Sequence, residues 1–92
     1  MIFNLLNERG YKKTETTKRL DDNTIAIGLT FVKPGFETEY FAFEVIVFEK
    51  NNELKYCVSV PLKNSIYQFK TTFNNNCDAM NFLESKFLDF ID

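Results

Sequence analysis

Residues 41–60 alternate so regularly that they dictate a β-hairpin and the register in which it closes. The run Phe41-Ala42-Phe43-Glu44-Val45-Ile46-Val47-Phe48 is followed by Glu49-Lys50-Asn51-Asn52-Glu53, then by Leu54-Lys55-Tyr56-Cys57-Val58-Ser59-Val60. Asparagine tolerates the positive φ that both central positions of a type I′ turn require, so Asn51-Asn52 is the expected turn. Lys50 and Glu53 then face each other with opposite charge. Outward from them, Val47 meets Tyr56, Val45 meets Val58, Phe43 meets Val60 and Phe41 meets Leu62, all on one apolar face. The other face pairs Phe48 with Lys55, Ile46 with Cys57, Glu44 with Ser59 and Ala42 with Pro61. A slip of one residue would drive Lys55 and Ser59 into the core, so the pattern itself selects this pairing.

The flanking segments extend the hairpin in both directions. Ile2, Leu5 and Leu6 recur at helical spacing, and Gly10 stands where a C′ glycine would end a short helix. A helix of that length does not hold alone in water, so it must dock on the sheet. Tyr11 to Leu20 is threonine-rich and carries four basic residues, which suits an exposed edge strand; a loop is the competing arrangement. Thr24 to Lys33 alternates again, with Ile25, Ile27, Leu29 and Phe31 on one side and Ala26, Gly28 and Thr30 on the other. At Pro34-Gly35 a strict two-residue turn would bring Tyr40 and Glu44 to the apolar side. A three-residue loop including Phe36, with a bulge, instead sets Phe43 beside Ile27 and Phe41 beside Leu29, and is preferred. Lys63-Asn64 reads as a further two-residue turn that sets Val60 against Tyr67, Val58 against Phe69 and Leu54 against Phe73. Asn74, Asn75 and Asn76 then offer a choice of helix caps ahead of an apolar stripe of Met80, Leu83, Phe87, Phe90 and Ile91.

The expected fold is α+β and two-layered. An antiparallel meander of about five strands has a short N-terminal and a longer C-terminal helix packed on one face, all within one domain spanning 1–92. The hydrophobic fraction of 45% is that of a folded globule rather than a disordered chain. No apolar run approaches the ~20 residues that span a bilayer, and Met1-Ile2-Phe3-Asn4 does not open a secretory signal. The expected location is therefore the cytoplasm, of a cell or of an infected host, with Cys57 and Cys77 as reduced, small apolar fillers.

Little in the chain points to catalysis. It contains no histidine, which removes Ser-His and Cys-His nucleophilic pairs and imidazole metal ligands. Its three glycines stand far apart, so no phosphate-cradling loop exists. Two cysteines on different elements make no metal cage. Glu37, Glu39 and Glu44 lie along one segment without a recognisable carboxylate partner, and solvated strand ends are the ordinary reading of the first two. No enzymatic activity, cofactor or metal is expected.

Surface is what the chain has to offer. Tyr40, Ile46, Phe48 and Ile66 point away from the helices, among the small residues Ala26, Gly28, Thr30, Cys57 and Ser59. A contiguous exposed apolar patch usually marks an interface. Glu44, set among these neighbours, could anchor a partner's arginine or backbone amide. The formal net charge is −2, and the acids concentrate after residue 33. The expected function is a small non-catalytic protein-binding module: an inhibitor, immunity protein or accessory factor of the kind phages and other mobile elements encode. It would act through Tyr40, Glu44, Ile46, Phe48 and Ile66 and an acidic surface. Single-stranded nucleic-acid binding, with Tyr40 and Phe48 stacking bases and Lys55 and Lys70 meeting phosphates, is the alternative, disfavoured by the acidic balance. Self-association through the open face or the Tyr11–Leu20 edge is compatible with the protein-binding reading, and no membrane is expected to be involved.

Overall fold

A computed structural model describes residues 2–21, 23–35, 42–62 and 67–91. The chain runs α1 (Ile2–Glu8), β1 (Lys12–Arg19), β2 (Ile25–Val32), β3 (Phe43–Lys50), β4 (Glu53–Pro61), β5 (Gln68–Phe73) and α2 (Asn76–Ile91). The five strands form one antiparallel sheet in the order β1-β2-β3-β4-β5, with both helices packed on the same face. The Tyr11–Leu20 stretch is thus an edge strand and not a loop: β1 pairs with β2 from Lys12↔Val32 to Arg19↔Ile25. Among the described residues no helix is long and apolar enough to cross a membrane.

Local chemistry explains where the elements start and stop. Gly10 has φ +88°, the left-handed conformation that is cheapest for glycine. The Tyr11 N–H donates to Leu6 O at 3.0 Å and the Gly10 N–H to Asn7 O at 3.0 Å, the paired bonds of a Schellman motif. At the other helix, the Asn75 Oδ1 accepts the Asp78 N–H at 2.8 Å, and the Asn75 amide donates to the Asp78 carboxylate at 2.8 Å. Asn75 is therefore the N-cap, and its side-chain amide also holds Asp78 in the first turn, where the dipole favours an acid.

The central hairpin closes as the alternation requires. Asn51 and Asn52 have φ 54° and 64°, as a type I′ turn needs. The pairs Lys50↔Glu53, Phe48↔Lys55, Val47↔Tyr56, Ile46↔Cys57, Val45↔Val58 and Glu44↔Ser59 all form. The Phe41–Leu62 pairing lies outside the described residues.

The two outer junctions differ from expectation. Phe43 pairs with Phe31 and not beside Ile27, while Val47 takes the place opposite Ile27, so β3 is displaced by four residues along β2. β4 and β5 are displaced by two: Val60 faces Phe69 and Tyr56 faces Phe73. The Leu62 N–H donates to Tyr67 O at 3.3 Å, so four residues, 63–66, connect these strands in place of a two-residue turn. Both displacements are even, so every side chain keeps its face. Alternation of period two cannot distinguish such registers, and packing chooses between them.

Packing chooses through an aromatic cluster. Phe43, wholly buried, lies edge-on to Phe87 of α2 at 5.2 Å between ring centroids and edge-on to Tyr11 at 5.7 Å. Tyr11 and Phe87 meet edge-to-face at 5.4 Å, and Phe90 adds a fourth ring 5.6 Å from Phe43. Each such contact contributes about 0.5–1.5 kcal/mol beyond the area it buries. Phe3 of α1 stacks on Phe31 at 5.3 Å, and Phe82 covers Phe69 and Phe73. With Phe43 opposite Phe31, these two rings and Val60 lie buried beneath the helices, while Phe69, paired with Val60 on β5, stays nearly half exposed.

Candidate functional site

The face opposite the helices is built in cross-strand ranks. One rank reads Thr14, Thr30, Glu44, Ser59, Lys70 from β1 to β5; the next reads Thr16, Gly28, Ile46, Cys57, Thr72. Lys18, Ala26, Phe48 and Lys55 form a third. No described element packs over this face. It is nonetheless not a flat, exposed apolar sheet. Ser59 is 4% exposed and Ala26 2%, while Glu44, Ile46 and Phe48 are each half-buried. Larger side chains lean over smaller ones: a methyl group on Gly28 would come within 3.0 Å of the Thr16 hydroxyl and 3.9 Å of Ile46.

A shallow open concavity of about 490 Å³ lies over the first rank, between Lys12 and Pro34 at one end and Gln68 and Lys70 at the other. Glu44 lies in its floor. The Thr30 hydroxyl donates to Glu44 Oε2 at 3.2 Å, and no cation pairs with the carboxylate among the described residues. Such a group can accept further charge-assisted hydrogen bonds. Among the described residues, no three His, Cys, Asp or Glu side chains gather in a way that would hold a metal ion.

Of the residues expected to form a binding face, Glu44, Ile46 and Phe48 do lie on the outer side of β3, in adjacent ranks. Tyr40 and Ile66 lie outside the described residues. The charge on this face also differs from the chain's balance. Among its described residues, Lys12, Lys18, Lys50, Lys55 and Lys70 stand against two carboxylates, Glu44 and Glu53. Lys55 is held by Glu53 at 3.3 Å and by Asn74 at 2.6 Å. Most other described acids lie elsewhere, on α2 (Asp78, Glu84, Asp89), on α1 and β1 (Glu8, Glu15) and near turns (Asp21, Glu49).

The most exposed apolar ground is on the helix side, which sequence reasoning assigned to the core. Ile25 is 53% exposed, Ile27 48% and Leu54 50%. All three share the face that carries Val45 and Val58, but at the far end of the sheet. For Ile25 and Ile27, element length accounts for this. Seven helical residues in α1 reach about 10 Å, whereas the eight residues of β2 extend about 27 Å. The helix cannot roof the strand, and that mismatch was present in the spacing of Gly10 from Ile2. Scans of protein-family models, curated proteins and solved structures find nothing that matches this chain.

Proposed function

We propose that this protein is a non-catalytic protein-binding module that works through the outer face of its sheet. The observation that carries the reading is Glu44, a half-buried carboxylate without a cationic partner among the described residues, in the floor of an open concavity on an uncovered face. It would take a partner's guanidinium, ammonium or backbone amide, while Ile46 and Phe48 bury apolar contact beside it. Lys12 and Lys70 at the rim would meet acids on the partner, steering the encounter and fixing its register. An inhibitor, immunity protein or accessory factor would need nothing more. Affinity capture from the native host, comparing wild type with Ile46→Lys and Glu44→Gln, tests this. A stoichiometric prey lost in both variants, with circular dichroism unchanged, supports it; no stoichiometric prey from wild type refutes it.

A second reading draws on the lysine frame. Lys12, Lys18, Lys55 and Lys70 on one face are a feature of single-strand nucleic-acid binders. Phe48 is the one aromatic ring on the described part of that face, and Glu44 would repel phosphate. Titration of a labelled oligonucleotide at low salt separates the two readings: tight, steeply salt-dependent binding favours nucleic acid, and its absence leaves protein binding.

A further inference from the structure

A different surface makes a more specific statement about its partner. β1 is an edge strand eight residues long, paired with β2 along its whole length and exposed at every residue. It contains no proline, glycine or bulge, and no described element covers its outer edge. Its free N–H and C=O groups are a template for another strand. Four cations, Lys12, Lys13, Lys18 and Arg19, occupy its ends against the single acid Glu15, and none of the five forms an ion pair among the described residues.

We propose that the β1 edge receives an extended acidic segment of another protein by strand addition. The charges select the occupant. A second copy of this chain would bring another four cations against the first four, so the edge resists self-pairing. A segment with carboxylates near both ends meets opposite charge at Lys12 and Lys13 and at Lys18 and Arg19. The middle of β1 is threonine, and on the helix side Thr17 stands between the open edge and Ile27. A residue added opposite Thr17 would lie about 10 Å from Ile27, two strand spacings away. A bulky apolar side chain there can lean across the threonine onto the shelf of Ile25 and Ile27 that α1 leaves unroofed. Backbone ladder, charge at both ends and an apolar anchor thus converge on one kind of ligand. This site adjoins the outer sheet face at Lys12 and Lys18, whereas Lys13, Thr17 and Arg19 lie on the helix side.

The test uses a fluorescent octapeptide, Glu-Glu-Phe-Thr-Val-Thr-Glu-Glu, which in antiparallel pairing sets its phenylalanine opposite Thr17 and its glutamates opposite Arg19, Lys18, Lys13 and Lys12. Anisotropy should show saturable binding, with β1 amides gaining hydrogen-exchange protection by NMR. Lys13→Glu/Arg19→Glu should weaken it at least tenfold; Lys86→Glu, a charge reversal on α2, should leave it unchanged. Two further peptides carry N-methyl groups on the odd or the even amides, keeping charge and side chains. Loss of binding by at least one of them marks a backbone ladder. Equal binding of all three peptides overturns the proposal, because charge alone would then explain the affinity. Absence of binding at low salt overturns it too, as do tighter binding of an oligonucleotide of equal charge at β1 and a peptide-free dimer with protected β1 amides.

Discussion

Tyr11 belongs to no helix or strand, yet its ring closes the aromatic cluster against Phe43 and Phe87. Its position follows from Gly10, whose left-handed turn drops the next residue back onto the helix it has just left. Burial raises the pKa of the Tyr11 phenol above its ordinary value, because the ionised form loses hydration. Below pH 10 the phenol is neutral in both folded and unfolded chains, and the fold keeps its full stability. Above pH 10 the unfolded chain ionises first, so stability falls as pH rises towards the folded-state pKa. Urea denaturation between pH 7 and 11 should show this: wild type loses stability above pH 10 faster than Tyr11→Phe, and the two curves run parallel below it. Single residues were also where the sequence was most legible. Asn51 and Asn52 announce their turn by identity, since few other residues accept positive φ twice in succession. Glu44, Ile46 and Phe48 announce their side of the sheet by parity. Parity says nothing of depth, so their half-burial was not readable.

Among the elements, the ends are set by local hydrogen bonds and the registers by remote packing. The capping arrangement at Asn75 and Asp78 joins side chain to backbone within four residues, and any one of three consecutive asparagines could have supplied it. The choice falls on Asn75 because α2 must present Ala79, Leu83 and Phe87 inward, which fixes the helix phase. Asn75→Ala should cost about 1 kcal/mol of stability by losing the cap, whereas Asn74→Ala, with its side chain on Lys55, should cost less. Thermal or urea unfolding of the two variants decides it, and equal costs would mean that the cap is not where it is drawn. The contrast between hairpins has the same origin. β3 and β4 meet through a two-residue turn, so composition at the turn fixes the register. β2 and β3 are joined through residues 33–42, and β4 and β5 through 62–67. There only contacts such as Phe43 on Phe87 distinguish one even displacement from another.

At the scale of the molecule, the roof is shorter than the floor. The helices cover Phe31, Phe43 and Val60 and leave Ile25, Ile27 and Leu54 open on the same side. One face therefore contains two energetic regimes, and substitutions should separate them. Phe43 is wholly buried and touches three other aromatic rings, so Phe43→Ala removes a full side chain and opens a cavity, at about 3–5 kcal/mol. A domain of this size has about 5–14 kcal/mol in total, so that loss consumes much of it. Ile27 keeps nearly half its surface in water, and threonine suits a strand as well as isoleucine does, so Ile27→Thr should cost under about 1 kcal/mol. Chemical denaturation of both variants gives the comparison directly. Similar large losses would mean that something covers the far end of the sheet in the isolated chain. A small loss for Ile27→Thr would mean that its apolar surface is dispensable to the fold and free to serve contact with another molecule.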